Sequence, residues 1–248
     1  MVGFFGYLEP EDIGEIPEKP WFIGTLILGA LFIIVFNLAA ITTQRSGLSV
    51  VSVATKMSVA IPVLFGIFYY NESAGALKIV GVILALIAVY LSSIKAKSGI
   101  AIKKRNLIFP ILVFIGSGII DTTIKFLESG YVNKSDVALF SSTIFSVAGF
   151  IGVIVLSIHA FQGKLQITWK NIFGGIALGI PNYFSIYFLV LALRNNDFDS
   201  STIFTINNVA IVLVATILGI VLFKEKLIPK NWIGIILAVI SILLVANS

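Results

Sequence analysis

The chain has 248 residues, 58% of them hydrophobic and only 12% charged, with a mean hydropathy of +1.06. An average soluble domain carries about 25% charged residues, so this composition excludes an ordinary soluble fold and makes lipid the solvent for much of the surface. The net charge of +5 does not indicate nucleic acid, because the basic residues sit in short connections between apolar runs, and the lack of cysteine with a single histidine, His159, excludes disulfides, thiolate chemistry and a multi-histidine metal site within this sequence.

In chain order, Met1–Leu8 is apolar but far too short to span a bilayer, and the acidic run Glu9–Glu18 follows it. The segment lacks the basic start, apolar core and cleavage site of a secretory signal. It reads as the end of a helix that begins upstream, with a short interfacial segment as the alternative.

Eight runs then approach the roughly 20 apolar residues that cross a bilayer. They are Pro20–Thr43, Leu48–Tyr70, Ala74–Ile94, Asn106–Leu127, Val137–Ala160, Asn171–Leu193, Ser200–Phe223 and Pro229–Ala246. The connections Gln44–Gly47, Asn71–Ser73, Glu128–Asp136, Arg194–Asp199 and Lys224–Lys226 are short and polar, which makes consecutive helices antiparallel neighbours. The longest basic connection, Lys95–Arg105, divides the chain into residues 20–105 with three helices and 106–248 with five, behind the remnant 1–19. One set of alternate connections holds eleven Lys and Arg, Lys95–Arg105 among them, and the other only Lys19, Lys78, Lys134 and Arg194. Positive charge stays inside, so the first set is expected in the cytoplasm and the C-terminus outside.

An internal repeat connects the halves. Glu72 is followed nine residues later by Gly81–Leu91 (GVILALIAVYL), and Glu225 at the same distance by Gly234–Leu244 (GIILAVISILL), with six of eleven positions identical and a constant offset of 153 residues. Five helices separate the two glutamates, an odd number, which places them on opposite sides of the membrane. That is the pattern of an inverted-topology repeat, widespread among secondary transporters. A five-helix unit repeated in this way implies ten helices, of which the first two would precede the sequence.

Pro62, ten residues before Glu72, and Gly81 at the opening of the next helix resemble the EamA-like branch of the drug/metabolite transporter superfamily. The second copy keeps Glu225 and Gly234 but has Ala215 where the proline would stand. The resemblance covers Pro20–Ser248. It implies an all-α inverted-repeat transporter bundle of ten helices around a central cavity, with Pro20–Thr43, Leu48–Tyr70, Asn171–Leu193 and Ser200–Phe223 as cavity helices.

Polar side chains at bilayer depth are costly unless they meet a partner or a wet cavity. Lys56 lies deep in its segment and either meets an anionic group of a solute or serves a structural pairing. Asn207 and Asn208 lie at matching depth, Asn208 aligning with Thr55 in the repeat, and offer amides to a solute or to a neighbouring helix. Asp121 and Lys125 are four apart on one helix face; an internal ion pair is the simplest reading, a proton-coupling carboxylate the alternative. Pro181 precedes Asn182 and Tyr183, with Tyr187 one turn on, so that a bend there either lines the cavity or serves packing. Asn37 is a weaker candidate of the same kind. Glu72 and Glu225 read as turn and packing residues, and Gly116 and Gly118 as close helix contacts.

The expected function is carriage of a small polar metabolite by alternating access, in the inner (cytoplasmic) membrane of a bacterium. No catalytic residue, metal or cofactor is expected. The expected partners are the bilayer, the solute and a second copy of the chain as a homodimer, with no nucleic acid. A membrane-embedded enzyme acting on a lipid-linked substrate and a non-transporting scaffold are the rival readings.

Overall fold

A computed structural model describes residues 14–93, 107–163, 168–194, 197–223 and 228–247. The expectations for Met1–Leu8, Lys95–Arg105 and Glu225 lie outside the described residues. After a 3-10 turn at Ile16–Glu18 come α1 (Phe22–Ser46), α2 (Leu48–Met57), α3 (Ala60–Tyr69), α4 (Ala76–Ser93), α5 (Ile108–Gly130), α6 (Val137–Phe161), α7 (Trp169–Leu193), α8 (Ser200–Phe223) and α9 (Pro229–Ala246). No strand occurs among the described residues.

Among the described residues seven helical segments are long and apolar enough to cross a membrane, with α2 and α3 forming one of them; α4 is a shorter apolar helix. Large apolar side chains stand open on their outer faces, among them Phe68 at 80% and Leu178 at 76% exposure. Water would penalise such faces and acyl chains solvate them, while the helix satisfies its own backbone hydrogen bonds, as a span requires. The protein is an all-helical integral membrane protein. The expected segment Leu48–Tyr70 is not one unbroken helix, since Ser58 and Val59 separate α2 from α3.

The described residues fall into two compact units. Those in Met1–Ile34 and Thr123–Asn195 form the first, and those in Val35–Thr122 and Asn196–Ser248 the second. In the first, α6 packs on α7, and Trp21 is fully buried edge-on against Phe140, ring centroids 5.8 Å apart. Its indole Nε1 donates to Asp136 Oδ2 at 3.3 Å, so a buried aromatic also satisfies its polar atom.

The second unit is built on α4 and α9, which pack along their length, with α8 against α3, α4 and α9. Ala85 and Ala88 of α4, Ala238 of α9 and Val209 of α8 make its buried centre. Small residues let the backbones approach where no hydrophobic drive acts between helices. Gly81, near the start of α4, faces Ser241, Leu244 and Val245 near the end of α9; Gly234, near the start of α9, faces Ala88 and Ser92 near the end of α4. The two contacts are images of each other under the 153-residue offset, and the helices run antiparallel. Asn231 closes one end by donating from its amide to the carbonyls of Leu91 and Ser92 at 2.9 and 3.1 Å.

A β-carbon at 234 would sit 2.7 Å from Ser92 N and 3.0 Å from Ala88 O, both backbone atoms, whereas at 81 the first obstacle is the Val245 side chain. Backbone cannot rotate aside. Gly234→Ala is expected to cost about 1–3 kcal/mol by overpacking and Gly81→Ala less, as read by thermal unfolding in detergent; the reverse order would contradict this packing.

Candidate functional site

The site begins at the break between α2 and α3. Pro62 has no N–H to give the carbonyl four residues back, at Ser58, and its ring crowds that turn. The Ser58 carbonyl instead accepts from Ile61 N at 2.9 Å, and Val59 N reaches back to the Lys56 carbonyl at 3.5 Å. The ladder tightens into an i to i+3 step, a form that in mid-helix often marks a hinge. Ser58 caps the step by donating from Oγ to the Thr55 carbonyl at 2.6 Å.

Lys56 occupies the last turn of α2, immediately before the break. It is half-buried, as is Asp121 on α5. Both belong to the second unit. Among the described residues neither makes a hydrogen bond, and they do not close into an ion pair. Two glycines bring α5 close. Gly118 lies against Ile61 of α3, where a β-carbon would collide with the isoleucine, and Gly116 lies against Val35 of α1. By helical rise Lys56 lies about 12 Å from the start of its span and Asp121 about 20 Å from the start of its own. Each residue thus lies well inside a core about 30 Å thick.

On α8, Asn208 is buried and donates from its amide to the Phe204 carbonyl of its own helix at 3.0 Å, whereas Asn207 is half-buried and makes no hydrogen bond among the described residues. Asn37, on the part of α1 in the second unit, is exposed. The repeat partner of Lys56 is Val209, 1% exposed in the alanine cluster. One copy therefore carries a cation where the other carries packing.

Asn182, Tyr183 and Tyr187 belong to the first unit. Pro181 sits inside α7 without interrupting the assigned helix. Tyr183 is buried, accepts a long 3.5 Å hydrogen bond from Ser142 Oγ, and lies parallel to Tyr187 with centroids 6.1 Å apart. Asn182 is half-buried beside them.

Among the described residues no ion pair is seen between Asp121 and Lys125. Lys125 Nζ donates to Glu128 Oε2 at 3.1 Å and to the Leu193 carbonyl at 3.4 Å. Lys125 is near the C-terminal end of α5, and its long stem reaches the helix end rather than turning back one turn into the span. Arg194 completes this cluster, with Nε 3.5 Å from Glu128 Oε1 and Nη2 donating to the Val132 carbonyl.

Two further polar contacts were not legible as pairs in the sequence. The Glu72 carboxylate caps α8, accepting from Ser200 N and Ser201 N at 2.9 Å each and from Ser200 Oγ. A carboxylate on a helix N-terminus meets unpaired N–H groups and the positive dipole end. Lys78, which reads from sequence as a surface cation, is fully buried and donates to Asp199 Oδ2, which also accepts from Ser73 N and Oγ at 3.3 and 3.1 Å. The available signal was the run Asp199–Ser201, which has the composition of a helix start.

Partial burial pushes the Asp199 carboxyl up, but the hydrogen bond and charge of Lys78 and the two bonds from Ser73 outweigh it and hold the group below the ordinary carboxylate range. A depressed carboxylate contributes stability above its unfolded-state pKa, and that contribution disappears as pH falls through the folded-state value. Acidification is therefore expected to lower the detergent melting temperature, and Lys78→Met to flatten that dependence. An equal acid slope in both proteins would remove the pair as its cause.

A groove of about 520 Å³ between α3 and α4 is walled by aliphatic side chains and Phe68, with Lys78 its only charged lining residue. With that ammonium engaged by Asp199, the groove offers little to a polar solute. Among the described residues no three of His, Asp and Glu gather as metal ligands.

No protein-family model matches the chain. A protein of known crystal structure superposes with a TM-score of 0.70, over 92% of this chain and 78% of its own, at 14% identity, a likeness of fold alone. An uncharacterised protein of Haemophilus influenzae (strain Rd) is 30% identical over 240 residues, which is 96% of this chain and 79% of that protein. The chain belongs to the same family as this Haemophilus influenzae protein.

Proposed function

We propose that the protein is a secondary transporter of the EamA-like kind, moving a small polar solute across a bacterial inner membrane by alternating access. The observation that carries this reading is the interrupted span α2–α3, with Lys56 at the interruption and Asp121 at nearby depth. Discontinuous helices bearing polar groups near the midplane are how carriers build solute sites. A scaffold has no use for two opposite charges left apart inside the bilayer, where each is costly. The reciprocal antiparallel contact of α4 with α9 supports the inverted repeat, because two helices that exchange places under a two-fold axis perpendicular to their length point in opposite directions through the membrane.

In this reading Lys56, Asp121 and Asn207 contact the solute in the second unit, with Asn208 positioning α8. Asn182, Tyr183 and Tyr187 of the first unit, and Asn37, remain candidate contacts to be tested one by one. Counterflow of labelled solutes by the full chain in proteoliposomes tests the proposal. Movement above that of protein-free vesicles supports it, and a failure to move any of a panel of amino acids, sugars, nucleosides and carboxylic acids would sink it.

A further inference from the structure

We infer that the groove between α3 and α4 seats one acyl chain of a membrane phospholipid, with the headgroup at the end formed by residues 69–74. The inference stands on the fold alone and is independent of what the protein moves.

The groove is written into two helical stripes. Ala60, Leu64 and Phe68 of α3 fall four residues apart, and Ile79, Ile83 and Leu86 of α4 fall four and three apart, so each set lines one face of its helix. These helices follow one another in the chain, yet among the described residues they do not pack along each other; α8 packs against both. The Glu72 clasp holds the chain just beyond α3 to the first turn of α8, and the Lys78 clasp holds the head of α4 to Asp199 beside it. The spacing of the two walls is therefore set by α8, and the groove is built before anything enters it. A preformed site spares its ligand the cost of ordering it.

Length, width and lining select the occupant. From Ala60 to Phe68, and from Lys78 to Leu86, each wall runs about 12 Å by helical rise, close to the roughly 15 Å that one leaflet contributes to the hydrocarbon core. Spread over that length, the 520 Å³ of the groove give a section about half that of an α-helix, whose cylinder is about 10–12 Å across. A helix of another protein or of a second copy does not fit between the walls, whereas a hydrocarbon chain does. An apolar space does not hold water, and an empty one forfeits the dispersion contacts of its lining. Leu64, Phe68, Ile79 and Ile83 are exposed along the groove, which therefore opens outward, where lipid lies. Its polar end also fits: Tyr69 is exposed beside Tyr70, as aromatic side chains are at a headgroup boundary, and Lys78 lies at the same end. Because Asp199 already engages the Lys78 ammonium, recognition comes from the chain and not from headgroup charge.

The test uses the full chain purified in mild detergent, native mass spectrometry to count bound lipid, and palmitoyl-oleoyl phosphatidylethanolamine and phosphatidylglycerol as probes. One phospholipid should stay on each chain through washes that strip the rest, with both headgroups retained alike. Returning either lipid to stripped protein should raise the melting temperature by about 3–5 °C at saturation. Val82→Trp, which fills the groove from the α4 wall, should lower retention at least tenfold. Ile87→Trp, on the exposed face of the same helix outside the groove, should leave it unchanged. Should Val82→Trp fail to fold, Ile83→Trp takes its place, since Ile83 lines the groove but is half open to lipid. Retention of no lipid, or equal retention in the groove and control variants, overturns the inference. Retention of one headgroup only, or of palmitic acid in place of the phospholipid, overturns it as well.

Discussion

Glu128→Gln is expected to destabilise the protein by about 3–5 kcal/mol, the cost of removing one partner from a buried charge cluster. Glu128 is 6% exposed and is shared by Lys125 and Arg194. Its loss takes from two half-buried cations, Lys125 and Arg194, the carboxylate they share. The amide keeps the shape and can still accept one hydrogen bond, so the effect isolates charge. Lys125→Met and Arg194→Met should each cost less, because one cation remains to balance the carboxylate. Thermal unfolding of the purified protein in detergent gives the order directly. A Glu128→Gln protein that melts with the wild type would show that the cluster is solvated at the membrane surface and contributes nothing measurable.

The largest functional effect is expected at Lys56. Hydrogen bonds to charged groups are worth about 1.5–3 kcal/mol, so Lys56→Met should raise the apparent KM of the transported solute between about 10- and 150-fold. Stability should hardly change, because among the described residues the ammonium makes no hydrogen bond or ion pair that would be lost. Lys56→Arg should restore only part of the affinity, since a planar fork does not reproduce a compact point charge. Unaltered transport kinetics in a stable Lys56→Met protein would take Lys56 out of the site.

The helices were readable from sequence because lipid demands about 20 apolar residues for each crossing and tolerates few charges between them. Fine positions were less so. Thr43 was expected to end the first span, which runs on to Ser46, because Gln44 and Arg45 look like loop residues although a helix end in headgroups accommodates them; Arg45 lies over the Phe109 ring at 4.6 Å. The break at Ser58–Val59 is contained in Pro62, whose missing N–H points to Ser58. Lys56 and Asp121 each stood out by depth, while their mutual relation depends on how α5 packs at Gly116 and Gly118, which spacing does not encode. The i to i+4 rule offered Asp121 a local partner in Lys125 and was overruled by Glu128, one turn beyond. Glu72 and Lys78 find partners at the start of α8, more than 120 positions away, and no local pattern announces them.

The fastening at Glu72 bears on how the second unit can move. Glu72, just beyond α3, grips the first turn of α8, and Lys78, at the head of α4, grips Asp199 immediately before that turn. These clasps tie the far end of α3, the near end of α4 and the tip of α8 into one block. The step at Ser58–Val59 lies at the other end of α3, so α3 is a lever clamped at one end with its pivot at the other. Any turn about that step would have to carry α4 and α8 along with α3, against the packing of α4 on α2. Lys56, on the α2 side of the step, is therefore coupled to the block both through the chain and through that helix contact.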